Sequence, residues 1–178
     1  MENLLYKKFT VIGAGRSGIG IAKLLRSKDF QVFLSDSSPK ENLMYLDEKV
    51  LKDFSIEYEF GTNSDRVYES DVIIVSPGIS PKSEVIKTAN KKNIPILSEV
   101  EVASYFCDAP IIAITGTNGK TTTTELTGAI LKEAGFDVHV CGNVGLAFSE
   151  VVPLLKEESI VVLEVSSFQL EYTKHFRP

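Results

Sequence analysis

Two short stretches combine glycines with side chains that could hold a phosphate group. The first, residues 13–18, reads GAGRSG and has the spacing G-x-G-x-x-G. The second, residues 115–121, reads TGTNGKT and ends in Gly-Lys-Thr. Glycines let backbone N–H groups approach a phosphate, a lysine can reach its outer oxygens and a threonine hydroxyl can ligate Mg²⁺. Both stretches therefore indicate nucleotide chemistry.

The second stretch departs from the general P-loop pattern, G-x-x-x-x-G-K-[ST], because Ile114 stands where the first glycine would be. Its setting is still that of a P-loop, since a buried strand is predicted before it and a helix from Lys120 onward. Lys120 would contact the β- and γ-phosphates of ATP, and Thr121 would ligate Mg²⁺. The predicted ATP-binding residues are Gly116, Thr117, Asn118, Gly119, Lys120, Thr121, Thr122 and Thr123.

A carboxylate that would complete this site stands at Glu164, near the end of an apolar run. P-loop proteins commonly hold their metal with an acid at the end of a neighbouring buried strand. We therefore predict Glu164 as a second Mg²⁺ ligand and, with Lys120, as a catalytic residue. The alternatives are a solvated acid at 164 and a chance Gly-Lys-Thr at a helix start.

The first stretch leaves its ligand open. Gly13 permits a tight turn, Gly15 lets a phosphate approach the backbone and Gly18 lets a helix pack closely on the sheet. Asp36 directly follows the second predicted strand, where a dinucleotide enzyme places its ribose-binding acid. NAD binding, a merely structural turn and binding of another nucleotide's diphosphate all fit these residues.

Apolar runs alternate with helical-period segments, which predicts an α/β fold with parallel sheets. Residues 98–106 predict a short helix in which Ser98 and Glu101 form a capping box. A linker at 107–110 divides the chain into a Rossmann-like domain, 1–108, and the first part of a P-loop-type α/β ATPase domain, 109–178. Other helices are predicted at 17–27, 82–92, 120–133 and 148–156, and strands at 9–13, 31–35, 57–60, 72–76, 94–97, 111–115, 137–141 and 160–165.

Composition excludes several classes of protein. The net charge of −5, without a basic tail, argues against a nucleic-acid partner. Two cysteines cannot form a disulfide framework, and no apolar run approaches the ~18 residues of a membrane span. We expect a cytoplasmic monomer. Only three strands are predicted after residue 108, so we also expect the chain to be a fragment of a longer protein.

The TGTNGKT loop resembles the ATP loop of the Mur ligases, the ATP-dependent amino-acid ligases of peptidoglycan synthesis. That family's loop lacks the early glycine, so Ile114 agrees with it. Three further pieces resemble the branch of the family that adds D-glutamate. They are SPGI at 76–79, GNVG at 142–145 and EVSSFQLE at 164–171. The pieces span the chain in the order of the family's UDP-binding domain and the start of its ATPase domain.

The resemblance implies that the first glycine turn holds a UDP-sugar instead of NAD. The residues it assigns to that substrate are Gly15, Arg16, Ser17, Asp36, Ser37, Gly78 and Asn143. Family members often have Leu-Thr where this chain has Arg16-Ser17, so a role for Arg16 at the diphosphate is a departure from the family pattern.

The resemblance also implies a reaction. With Mg²⁺ as cofactor, the enzyme would phosphorylate the L-alanine carboxylate of UDP-N-acetylmuramoyl-L-alanine with ATP, and D-glutamate would attack the acyl phosphate. The family's D-glutamate pocket lies beyond Pro178, so we expect the chain alone to bind UDP-type ligands and perform no ligation. An NAD-dependent oxidoreductase and a non-catalytic nucleotide-binding module are the alternatives.

Overall fold

The computed structural model describes residues 5–143 and 145–178, in which strands and helices alternate. The strands are β1 (Lys8–Ile12), β2 (Gln31–Asp36), β3 (Glu57–Phe60), β4 (Val72–Val75), β5 (Ile96–Ser98), β6 (Ile111–Ile114), β7 (Asp137–Gly142) and β8 (Ser159–Glu164). The α-helices are α1 (Arg16–Arg26), α2 (Glu48–Asp53), α3 (Glu84–Lys91), α4 (Glu99–Ser104), α5 (Lys120–Glu133), α6 (Phe148–Val151) and α7 (Ser167–Glu171). The predicted α/β class is confirmed.

The first sheet has the order β3-β2-β1-β4-β5, and all its strands are parallel. Its central strands are almost wholly buried, as both faces of a parallel sheet must be. The chain order reverses between β1 and β4, and ligands of open α/β sheets bind at the carboxyl edge of such a switch point. The first glycine turn follows β1 directly and lies at this edge.

The second sheet has the order β6-β8-β7 and is also parallel. The three strands predicted for this part of the chain are found. In the central strand, Val161, Val162 and Leu163 are fully buried. The TGTNGKT loop lies between β6 and α5, and EVSSFQLE begins at the last residue of β8.

One apolar core joins the two sheets. Phe9 and Leu34 of the first sheet belong to the same buried cluster as Phe148 and Leu163. The latter two lie in residues 109–178, which we call the second unit. Helix α6 packs against α1 and α4. The division at residue 108 stays a prediction, because two sheets that share a core do not by themselves define a domain boundary.

Some local predictions need correction. The helix predicted at 148–156 ends at Val151, and a 3-10 turn at Val152–Leu154 follows, because Pro153 cannot donate a helical hydrogen bond. The short helix α7 was not predicted from the sequence. Across the described ranges 5–143 and 145–178, no helix has both the length and the apolar character needed to cross a membrane.

Only one of the two hydrogen bonds of the capping box predicted at Ser98 is present. The Ser98 hydroxyl does accept a hydrogen bond from the Glu101 N–H, at 3.2 Å. The Ser98 N–H, however, donates to the carbonyl oxygen of Tyr172 at 3.0 Å. The Glu101 carboxylate turns instead to three backbone N–H groups at residues 174–176, which give a buried anion more donors than the capping box would.

Candidate nucleotide and metal site

The TGTNGKT loop presents a helix N-terminus to solvent. Helix α5 begins at Lys120 without a side-chain cap, and its N-cap residue Gly119 has a φ of 76°, a left-handed conformation that favours glycine. Residues 115–119 are exposed. An uncapped first turn leaves backbone N–H groups and the positive end of the helix dipole available to an anion. This arrangement suits a phosphate group.

The Lys120 side chain folds over the same loop. Its Nζ donates a hydrogen bond to the carbonyl oxygen of Gly116 at 2.8 Å. The Thr124 hydroxyl donates to the Lys120 carbonyl at 2.8 Å and is buried, while Thr121, Thr122 and Thr123 are exposed. The predicted ATP-binding residues therefore form one continuous surface from the end of β6 into the first turn of α5.

Glu164 lies beside the start of this loop. It is the last residue of β8 and is in register with Ile114 on one side and Gly142 on the other. The Val165 N–H donates to the Ile114 carbonyl at 2.9 Å, which fixes the two strand ends together. The sheet thus brings both predicted catalytic residues, Lys120 and Glu164, to the same carboxyl edge.

The Glu164 carboxylate is only 2% exposed and incompletely paired. Its Oε1 accepts a hydrogen bond from Asn143 Nδ2 at 3.2 Å, and Oε2 has no hydrogen-bond partner among the described residues. A buried oxygen without a partner is costly, and a bound cation would satisfy it.

The predicted ligands Glu164 and Thr121 both offer oxygen atoms, which are the donors that Mg²⁺ prefers. Within residues 5–143 and 145–178, no group of three or more His, Cys, Asp and Glu side chains could hold a metal ion. A carboxylate and a threonine hydroxyl are oxygen ligands, and Mg²⁺ takes few protein oxygens because it keeps waters or binds phosphates.

The first glycine turn borders a cavity of about 340 Å³. A Cβ at Gly18 would lie 1.8 Å from the Gly13 carbonyl oxygen, so only glycine lets α1 approach the turn this closely. Of the residues predicted to bind a UDP-sugar, those that line the cavity are Gly15, Arg16, Ser17, Asp36, Ser37 and Gly78. Asn143 is not among the lining residues.

Asp36 ties together two of the segments around this cavity. Its Oδ2 accepts a hydrogen bond from the Ala14 N–H at 2.7 Å, and its Oδ1 accepts one from the Ser38 N–H at 2.8 Å. On the opposite side, the Ser76 hydroxyl donates to the Gly13 carbonyl at 3.1 Å. The cavity walls are therefore held by hydrogen bonds within the protein.

Arg16 links the cavity to the second unit. Its guanidinium donates a hydrogen bond to the carbonyl oxygen of Gly145 and lies 4.9 Å from the centre of the Tyr45 ring. Asn143, in the same GNVG turn, is bonded to Glu164 through both its side chain and its backbone N–H. The turn therefore joins the predicted UDP-sugar cavity to the predicted metal site.

Comparisons with known proteins agree with this geometry. Residues 8–85 match the model of the MurD N-terminal domain, and residues 114–177 match that of the Mur ligase middle domain. The chain belongs to the Mur ligase family.

Curated relatives of this Mur ligase chain carry a more specific name. This chain is 45% identical over 181 residues to UDP-N-acetylmuramoylalanine–D-glutamate ligase of Chloroherpeton thalassium, and the match covers 99% of this chain and 38% of the relative. It is 42% identical to the protein of the same name from Salinibacter ruber, covering 95% of this chain and 37% of the relative. The chain thus spans little more than a third of these relatives' length.

The Mur ligase fold is also found among solved structures. A murein peptide ligase from Psychrobacter arcticus superposes with a TM-score of 0.57 at 20% identity, covering 97% of this chain and 41% of that one. The UDP-N-acetylmuramate:L-alanyl-γ-D-glutamyl-meso-diaminopimelate ligase of Neisseria gives a TM-score of 0.55 at 18% identity, covering 91% and 55%. At these identities the likeness supports the fold alone.

Sequence reasoning missed two features of this Mur ligase chain. Ser166 and Gln169 form a capping box that starts α7, and the Ser-x-x-Gln spacing could have predicted it. The second is a pair of buried glutamates in α4, Glu99 and Glu101, which are 1% and 0% exposed. The sequence feature that could have indicated their burial is the placement of two acids between valines in the segment EVEVA.

Glu99 is electrostatically unusual. Its Oε1 accepts a hydrogen bond from the Ser149 N–H at 2.6 Å. The pKa of this carboxyl is raised to about 7, chiefly by burial and to a smaller extent by the negative charge of Glu150, while the hydrogen bond from the Ser149 N–H acts in the opposite direction. Glu99 therefore changes its charge near neutral pH.

Proposed function

We propose that the complete protein is an ATP-dependent ligase that joins D-glutamate to UDP-N-acetylmuramoyl-L-alanine. The observation that carries the proposal is the pairing of an uncapped TGTNGKT helix start with the buried, incompletely bonded carboxylate of Glu164. The name shared by relatives of 42–45% identity supports the substrates. Family membership favours this function over an NAD-dependent oxidoreductase or a non-catalytic nucleotide-binding module.

In the first step, an oxygen of the substrate's L-alanine carboxylate attacks the γ-phosphorus of ATP. The new O–P bond forms as the bond between the γ-phosphorus and the bridging oxygen breaks, and ADP leaves. Lys120 and the N–H groups at the start of α5 would stabilise negative charge on the transferring phosphoryl group.

Thr121 and Glu164 would hold Mg²⁺ here, and the ion would neutralise charge on the phosphate oxygens. The unpartnered Oε2 of Glu164 supports this assignment. Asn143 would orient the carboxylate through its hydrogen bond to Oε1.

In the second step, the amine of D-glutamate attacks the acyl carbon, the C–N bond forms and phosphate leaves with the oxygen it gained. The amine also loses a proton in this step, and the departing phosphate or water takes it up. The cavity beside the first glycine turn would hold the UDP end of the substrate, where hydroxyls of Ser17 and Ser37 can bond to it. We assign no described residue to D-glutamate.

The test is product formation by the complete protein with ATP, UDP-N-acetylmuramoyl-L-alanine and D-glutamate. We expect equal amounts of amide product and ADP. Lys120→Ala should lower kcat by roughly 10²-fold or more, because it removes a charge that acts on the transition state. Lys132→Ala, in the last turn of α5, is the matched control and should keep the wild-type rate.

Two results would contradict the proposal. One is the absence of amide product from the folded, complete protein. The other is a thermal shift with NADH and none with the UDP-linked substrate, which would favour an oxidoreductase. The 178-residue chain by itself should bind the UDP-linked substrate without forming product, as we expect from the sequence. Its cytoplasmic location and monomeric state also stay predictions.

A further inference from the structure

Helix α4 carries two buried carboxylates that reach different parts of the second unit. Glu99 accepts a hydrogen bond from the Ser149 N–H in α6. Glu101 reaches the chain that follows α7, at residues 174–176. Neither glutamate has a part in the proposed chemistry, although burying two acids is costly unless each is well bonded.

Glu101 is the more completely bonded of the two. Its Oε2 accepts hydrogen bonds from the N–H groups of Lys174 and Phe176, each at 2.9 Å. The His175 N–H lies 3.0 Å from Oε1 and 3.1 Å from Oε2, and the Tyr105 hydroxyl lies 3.4 Å from Oε1. Three successive backbone N–H groups on one fully buried carboxylate fix the path of this segment, because each is a charge-assisted hydrogen bond.

The clamped segment leads back directly to the proposed metal ligand. Glu164 ends β8, Ser166 caps α7 two residues later, and α7 ends at Glu171. From Glu164 to the clamp at 174–176, the chain therefore consists of a strand end, one short capped helix and one turn. Such a short connection can transmit a displacement at its far end to Glu164.

The far end of α7 also lies on the first sheet. The Ser98 N–H donates to the Tyr172 carbonyl at 3.0 Å. The Tyr172 ring packs against the apolar cluster that includes Ile12 and Val75, and so does Ile79 of the SPGI turn. Ile79 lines the cavity proposed for the UDP end of the substrate. The chain that runs from Glu164 through α7 therefore ends on the apolar cluster against which a residue lining that cavity also packs.

We propose that Glu101 is a positioning residue of the ligase: by clamping residues 174–176, it sets the position of Glu164 relative to the cavity at the first glycine turn. The inference rests on the proposed function. Glu101 touches neither substrate nor metal in this scheme and acts through α7. A displacement of about 1 Å between reacting groups can lower a rate by about 10²-fold, so a well-fixed connection matters for phosphoryl transfer.

The test uses Glu101→Gln in the complete protein. Glutamine keeps the size of the side chain but replaces one accepting oxygen with an NH₂ donor, which faces backbone N–H groups that are donors themselves. We expect kcat to fall by about 10-fold or more, while the KM values for ATP and the UDP-linked substrate change by less than about threefold. Glu125→Gln, on the exposed side of α5, is the matched control.

A second variant, Tyr172→Ala, loosens the same segment from the first sheet and leaves the Glu101 carboxylate intact. Its ring is only partly buried, so the fold should persist if Glu101→Gln does not fold. We expect the same pattern, a lower kcat with little change in KM. Urea unfolding of each variant, measured at the temperature of the activity assay, shows whether the variant is folded in that assay.

The outcomes are distinguishable. A lower unfolding midpoint with an unchanged kcat in the variants would overturn the inference, because it would make the clamp purely structural. A rise in KM at constant kcat would also overturn it. Absence of ligation by the wild-type protein would refute the proposed function itself, before any variant is compared.

Discussion

Replacing Glu99 with glutamine should make the protein's stability less dependent on pH. Glu99 is 1% exposed, and its Oε1 accepts the Ser149 N–H at 2.6 Å. Glutamine has nearly the same shape and keeps an oxygen that can accept this hydrogen bond, but it cannot ionise. The variant therefore isolates the free energy of charging this carboxyl in the folded protein.

The direction follows from the two pKa values. Folding raises the pKa of Glu99 from 4.5 to about 7, so between these pH values the folded state binds the proton more tightly than the unfolded state does. The wild-type protein is then most stable, with respect to this group, below pH 4.5 and loses that stability as the pH rises through 7. At 1.36 kcal/mol per pKa unit, the loss is roughly 3 kcal/mol.

Urea unfolding of both proteins at pH 5 and pH 8 measures this effect. The free energy of unfolding of Glu99→Gln minus that of the wild type should rise by roughly 2 to 3 kcal/mol between the two pH values, since the other carboxylates cancel in the difference. Glu125→Gln, which is exposed, should show no such rise. A difference that stays constant from pH 5 to pH 8 would refute the reasoning.

Two further substitutions test the glycine turn and the metal site. Gly18→Ala should lower the free energy of unfolding by about 3 kcal/mol or more, because the new Cβ would lie 1.8 Å from a backbone oxygen. Gly15→Ala is the control, since a Cβ at this position would have no atom within 4 Å. An equal loss of stability in both variants would contradict the packing argument. Glu164→Gln in the complete protein should raise the Mg²⁺ concentration for half-maximal ATP turnover by about 10-fold or more, whereas an unchanged Mg²⁺ dependence would remove Glu164 from the metal site.

Much of the fold could be predicted because its signals are local. Strand β3 and helix α5 have the predicted bounds, since alternating apolar residues and a glycine before Lys120 mark their ends. Helix α6 is shorter than predicted because Pro153 has no N–H to donate to a helical hydrogen bond. Helix α7 was missed because it is five residues long and gives no periodic signal.

The site was predictable in part. Lys120 and Thr121 were predicted from residue type at the start of a helix, and Glu164 from its place near the end of a predicted strand. Parallel pairing of β6 with β8 brings the two segments to one edge of the sheet. The hydrogen bond from Asn143 to Glu164 was not predictable, because the two residues are 21 positions apart. The roles of Thr121 and Glu164 as metal ligands stay predictions.

The sequence by itself determined the α/β class, the two glycine-rich turns and the family resemblance, because each depends on residue type and spacing within a short window. Only the tertiary structure decided what the acids of EVEVA do. Glu101 stands three residues after Ser98, as in a capping box, yet its carboxylate bonds to residues 174–176. Local spacing proposes a hydrogen-bond partner, but a buried charge is satisfied by whichever donors the fold brings to it, and here those donors come from 73 or more positions away.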